Sequence, residues 1–284
     1  MALEKWLIGG PKVIDLELVR SVKISLIGGR IDVIGHDEPG ARVEIHSVQG
    51  KDLKVSIDDD LLEIDHPQLR WDNFIDVFAS FRGTAKADIS LLVPRHIALK
   101  FGVVSASALL SGLAADAKVS TVSGDIVIDG VAGSLEINTV NGEVSVQNHT
   151  GPIVAHSVSG DLTVSGRIPT FSADGVSSAV FLDITGPVDA LTNNTVSGDF
   201  TVRLDEGFGA RYNVNTVSGV LTLDGSTFRS TRGKGNNFTS GSLDGHFVEV
   251  RANSVSGDIT SMRRVDAPPT TGEPGLLPQG GVPA

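Results

Sequence analysis

One short phrase governs what this chain can fold into. "TVSGDIVI", starting at Thr121, returns as "TVNGEVSV", "SVSGDLTV", "TVSGDFTV", "TVSGVLTL" and "SVSGDITS". A phrase recurring at a short, nearly fixed period marks a repeat architecture, in which each copy packs mainly against its neighbours. With the glycine as position zero, the clear anchors are Gly124, Gly142, Gly160, Gly198, Gly219 and Gly257. Ala106, Ala179 and Gly241 fill the gaps as weaker copies, so that successive anchors stand 16 to 22 residues apart.

Both flanks of the glycine alternate as strands do. Two places after it stand Ile126, Val144, Leu162, Phe200, Leu221, Leu243 and Ile259; four places after it, Ile128, Val146, Val164, Val202 and Leu223. Seven places before it stand Ala117, Leu135, Ile153, Leu191 and Tyr212. Period-two alternation assigns these sets to an inward face. The valine two places before the glycine breaks the parity and is expected to pack at a corner, where the glycine relieves crowding or permits a positive φ. Leucine-rich repeats would need a leucine lattice and a helical return, and helical repeats a longer apolar period. The pattern therefore predicts an all-β fold: a right-handed parallel β-helix of about nine layers, near 40 Å long at roughly 4.8 Å per layer. A β-sandwich of short hairpins is the competing fold.

Ladders of small polar residues precede the glycine: Thr121, Thr139, Ser157, Thr195, Thr216 and Ser254 three places before it, and mostly serine one place before it. Their hydroxyls are expected to bond the next layer, because buried polar groups need partners. No G-x-S-x-G accompanies them, so they read as structure rather than nucleophiles. One place after the glycine, Asp125, Glu143, Asp161, Asp199 and Asp258 form an acidic column, interrupted at Val180, Val220 and Ser242. Alternation turns it outward as a solvated face. Weak calcium binding and glycosidic hydrolysis by paired carboxylates are the alternatives.

Residues 1–19 form an N-terminal segment, and 20–100 a less regular, β-rich capping region. Residues 101–264 carry the solenoid repeats, and 265–284 a Pro/Gly-rich tail that is expected to be disordered. Within the cap, residues 69–83 place Trp71, Phe74, Ile75, Phe78 and Phe81 at helical spacing. They are expected to cover the coil's end, with docking of a partner or second copy and insertion into a membrane surface as the alternatives. "STRGKGNN", residues 230–237, reads as a surface loop. The histidines His36, His46, His66, His96, His149, His156 and His246 form no ligand pattern and read as scattered surface residues.

A net charge of -11 excludes the basic field that a nucleic-acid partner requires. The chain has no cysteine, which removes disulfides and thiolate metal sites. No basic, apolar and small-residue start marks a signal peptide, and no run is long enough for a transmembrane helix. The expected location is the cytoplasm.

The phrase "ADISLLVP" followed by "TVSGDIVI", "TVNGEVSV", "SVSGDLTV" and "TVSGDFTV" resembles a bacterial β-strand-repeat family, a domain of unknown function whose members are described as "putative adhesins". The resemblance covers roughly residues 20–262. It implies a parallel β-helix and brings no catalytic residues. The expected function is that of a non-enzymatic scaffold, without cofactor, binding a protein or glycan. The alternatives are a self-assembling structural protein and a carbohydrate-active β-helix enzyme.

Overall fold

The computed structural model describes residues 4–66, 85–229 and 235–264, and every regular element among them is a strand. The chain coils so that each turn gives one strand to each of two 13-stranded sheets. Through the centre the rungs stack in parallel and in chain order. In one sheet Ala98–Val103, Ala117–Thr121, Leu135–Thr139, Ile153–Ser157, Thr170–Gly175 and Ala190–Asn194 follow one another. In the other the sequence is Ser107–Ser111, Ile126–Asp129, Val144–Thr150, Leu162–Arg167, Val180–Ile184 and Phe200–Leu204. The fold is thus a β-solenoid.

The inward sets expected from alternation form one core between the sheets. Leu135, Ile153, Leu191, Val144, Leu162, Phe200, Val146, Val164 and Val202 are all buried in a single apolar cluster. Register is exact along these columns: Ile126 faces Val144, which faces Leu162, then Val180, Phe200 and Ile259. A one-residue slip would turn every such side chain to solvent, which is why the register holds along these columns.

Register corrects two anchors. Val180 pairs with Leu162 and Phe200, so Ser178, and not Ala179, occupies the glycine position, and Val180 is a buried core residue rather than a gap in the acidic column. Gly241 anchors no rung. It follows Asn236–Ser240, which runs antiparallel to Gly209–Thr216, and Leu243 is only half-buried. Part of the expected 230–237 loop is therefore strand, while 230–234 lie outside the described residues.

Stacking also departs from chain order at both ends. Phe247–Ser254 inserts between Ala190–Asn194 and Gly209–Thr216, and Ile259–Arg263 inserts between Phe200–Leu204 and Val220–Leu223. The chain skips a slot at residues 205–208, builds the end, and returns to fill the slot. Arg263 of the returning strand fixes this arrangement. It donates to the Asp205 and Phe208 carbonyls at 3.3 and 3.0 Å and to Asp224 Oδ2 at 2.9 Å. Asp224 also accepts from the buried Tyr212 hydroxyl, at 3.0 Å, and from Ser261, at 3.2 Å. At the other end Ser21–Leu26 and Gly28–His36 sit between Leu61–Asp65 and Lys86–Pro94 on one side and the central rungs on the other.

Antiparallel strands close each end. Glu4–Ile8 and Lys12–Leu16 are outermost on one side, Ser226–Arg229 and Asn236–Ser240 on the other. Two histidines read as surface residues are buried: His66 accepts the Ile27 N–H at 3.2 Å, and His149 lies under the bulge of its strand. Burial lowers both imidazole pKa values, that of His66 to about 4.

The repeat glycines are not there for a left-handed backbone, since Gly124, Gly142, Gly160, Gly198, Gly219 and Gly257 are absent from the positive-φ residues. They admit the carbonyl of the adjacent rung. A Cβ at Gly198 would stand 1.7 Å from the Ser178 oxygen, and one at Gly257 2.0 Å from the Gly198 oxygen. Gly198→Ala must displace backbone and is expected to cost about 3 kcal/mol or more in urea unfolding, at the upper end for overpacking. Gly10→Ala, with nothing within 4 Å, is expected to change stability by less than about 0.5 kcal/mol. Equal effects at the two positions would contradict this account.

Candidate ligand-binding corner

Each letter of the phrase has a place at the corner joining the two sheets. Threonine clamps the turn: Thr121 Oγ1 donates to the Gly124 carbonyl at 2.8 Å and accepts the Gly124 N–H at 3.0 Å. Thr139 and Ser157 donate in the same way to Gly142 and Gly160, both at 2.7 Å. These hydroxyls mostly serve their own turn rather than the next layer, as short polar side chains do in turns. Cross-layer bonds occur at Thr195, to the Val176 carbonyl, and Thr216, to that of Gly257. Serine reaches the neighbouring rung instead. Ser123 donates to the Val104 carbonyl at 3.1 Å and Ser218 to that of Val255 at 3.2 Å.

The acidic column points outward as expected, yet it is more than a solvated face. Asp125 accepts the Glu143 N–H at 3.2 Å, Asp161 that of Ala179 at 2.9 Å, Asp199 that of Asp258 at 2.8 Å, and Asp258 that of Val220 at 2.8 Å. Each aspartate thus caps a backbone donor of the next rung with Oδ1. No group of three or more His, Cys, Asp or Glu arranged to hold a metal is found among the described residues.

One rung exchanges two of these letters. At "GVSSAV" glycine stands at the threonine position, as Gly175, and serine at the glycine position, as Ser178. The Ser178 hydroxyl donates to the Gly160 carbonyl at 2.6 Å, alongside that of Ser157.

Valine is the exception. Val158, Val176, Val196, Val217 and Val255 are 45–49% exposed, in contrast to the corner packing expected of them, and only Val104 and Val122 among their equivalents are buried. Backbone bonds order the exposed residues along one edge. Val158 follows Val140, then come Val176, Val196, Val255 and Val217, with the Val255 N–H on the Val196 carbonyl at 3.1 Å. From Val140 to Val217 this ridge is about 24 Å long at the rung spacing. Single exposed apolar residues are ordinary, whereas here they line up in a contiguous column.

Beside the ridge runs a groove of about 410 Å³, lined by Asn138, Val140, His156, Val158, Asp174 and Val176 among others. Its polar wall is held in place: Asn194 donates to Asp174, and Asn253 to Asn194, each at 2.9 Å. Sequence alternation missed the site because it assumes one extended direction. Two consecutive outward residues, valine and serine, reset the phase at the corner, and that doublet was the available signal. The expected contact residues Trp71, Phe74, Ile75, Phe78 and Phe81 lie outside the described residues, as does the tail 265–284.

A family model described as Toastrack DUF4097 matches residues 42–261. The chain belongs to the Toastrack DUF4097 family. No curated protein matches the sequence. Among solved structures, one described as a "putative cell adhesion protein" from Clostridium sporogenes is 14% identical, with 89% of this chain and 100% of that one covered and a TM-score of 0.29. A "putative lipid binding protein" from Parabacteroides distasonis gives 13%, 91%, 98% and 0.46 in the same order. A "putative adhesin" from Bacteroides fragilis gives 12%, 88%, 96% and 0.45. The architecture of this Toastrack chain stands on its own strand ladders.

The capping role of the aspartates has a direct measure. Asp199→Ala removes the acceptor of the Asp258 N–H and is expected to cost about 1 kcal/mol in urea unfolding. Asp199→Asn keeps a carbonyl acceptor and is expected to stay within about 0.5 kcal/mol of the parent. Identical behaviour of the two variants would return the column to a solvated face.

Proposed function

We propose that this Toastrack protein is a non-enzymatic binding scaffold that recognises an extended partner along its valine ridge. One observation carries the reading: threonine, serine, glycine and aspartate each have a structural task in the repeat, while the valine recurs at Val158, Val176, Val196, Val255 and Val217 and is left in water. A corner built on stacked backbone loses little conformational entropy when a ligand settles on it, so modest contacts yield usable affinity. The aspartates' commitment to backbone N–H groups supports a structural use of the column over hydrolytic carboxylate pairs. The antiparallel strands at both ends, with Lys5 and Lys12 on the outermost pair, support a discrete particle over end-to-end polymerisation.

The test compares the chain with its Val158→Thr, Val176→Thr, Val196→Thr triple variant, which preserves side-chain shape and β-branching. Both are screened against a random peptide library and a bacterial glycan array. Ligands of the parent are expected to bind the variant at least about tenfold more weakly, while unfolding midpoints match. Ligands that bind both proteins equally would overturn the ridge as the recognition surface.

A further inference from the structure

We infer that the partner of the valine ridge is a cationic, extended polypeptide segment carrying lysine or arginine among aliphatic residues. The inference rests on the ridge being the recognition surface, and adds what the charges around it select.

The outward positions of the corner can be read rung by rung. Each rung from Asn138 to Val220 presents a polar residue, then valine, then serine or asparagine, and last the residue after the glycine, while in the rung before them Ser120 and Val122 are buried and only Ser123 and Asp125 are exposed. Asp125, Glu143, Asp161, Asp199 and Asp258 fill that last place, and Asp174 adds a carboxylate on the groove side. No lysine or arginine occupies any of these positions. The nearest cations on these rungs, Lys118 and Arg251, stand two residues further out and donate to Glu136 at 2.6 Å and to Glu249 at 2.8 Å. The corner is therefore an apolar line with a column of carboxylates along one side and, on the groove side, a polar wall with one carboxylate, Asp174, which accepts from Asn194 and lies 3.8 Å from the His156 imidazole.

Two properties make those carboxylates available. Asp125, Asp161, Asp199 and Asp258 use Oδ1 for the backbone of the next rung, which orients each side chain, and all four residues are exposed. With Glu143 they occupy every rung of the column except those of Ala179 and Val220, so a long lysine or arginine side chain meets a carboxylate from most points along the ridge. A second copy of this chain is the poorer occupant: facing two such corners would oppose their acidic columns. A neutral glycan would donate hydroxyls to the polar wall and to the carboxylates but would bring no positive charge to balance the column. An extended peptide of about eight residues spans roughly 26 Å, close to the ridge's length of about 24 Å.

The experiment titrates the full chain with two labelled peptides of about eight residues, alternating lysine with valine or glutamate with valine, by fluorescence anisotropy. Two variants accompany it: Asp125→Asn, Asp161→Asn, Asp199→Asn, which keeps the backbone caps, and the triple Val→Thr ridge variant. The lysine peptide is expected to bind the parent and to weaken at least about tenfold when NaCl rises from about 0.05 M to about 0.5 M. It is expected to weaken about tenfold on the Asn variant, with the salt dependence reduced, and to weaken on the Thr variant as well. Equal binding of the glutamate peptide, or unchanged lysine-peptide binding to the Asn variant, would overturn the cationic partner. Loss on the Thr variant alone would leave the ridge standing without it, and loss on neither would remove both. Ridge-dependent dimerisation in sedimentation velocity would instead assign the surface to a second copy.

Discussion

Everything in this structure depends on how closely one rung's backbone can approach the next at the corner between the sheets. Parallel strands stack at roughly 4.8 Å, and a turn stacked on a turn at that spacing has no room for a Cβ aimed at the carbonyl of its neighbour. Gly124, Gly142, Gly160, Gly198, Gly219 and Gly257 meet that condition, each with a neighbouring carbonyl where its Cβ would be. The rung with serine there, Ser178, turns the contact into a hydrogen bond to the Gly160 carbonyl. Once the approach is allowed, orphaned backbone groups become the next problem, because a buried or half-buried donor left unpaired costs free energy. Threonine closes the turn, serine binds the previous carbonyl, and aspartate caps the following N–H. The repeated phrase is a local solution to stacking.

From that solution the surface follows. Two consecutive residues must face outward for the chain to pass from one sheet to the other, and the first of them is free of structural duty. Its repetition as valine gives the corner a continuous apolar edge, and the outward aspartates border that edge with charge. Scaffold and surface thus come from the same five residues, one set by backbone geometry and the other by what geometry leaves over.

Much of the fold was legible in the sequence for the same reason. Columns such as Ile126, Val144, Leu162 and Phe200 alternate strictly, and alternation reports burial directly. The phase reset at the corner was not legible from parity, so the valines were assigned to packing. Nor was the order of the terminal rungs, because the inward faces of Ile259 and Leu221 are chemically interchangeable to a pattern. Specific chemistry decides it: Arg263, Ser261 and Asp224 meet only when Ile259–Arg263 lies against Val220–Leu223. Among the histidines, the burial of His66 and His149 is not legible because a lone imidazole carries no periodicity.

The inserted rung is the least obvious consequence of the account and the most direct to measure, since a chain without cysteine accepts engineered pairs cleanly. Thr201 is the direct partner of Thr260, and Thr260 separates it from Thr222. Adjacent partners stand about 4.8 Å apart and fall within disulfide reach, while residues two rungs apart, near 9.6 Å, do not. Oxidative cross-linking is therefore expected to join Thr201→Cys with Thr260→Cys and to leave Thr201→Cys with Thr222→Cys open. Efficient closure of the second pair and not the first would mean that the rungs stack in chain order, and would contradict the structure described.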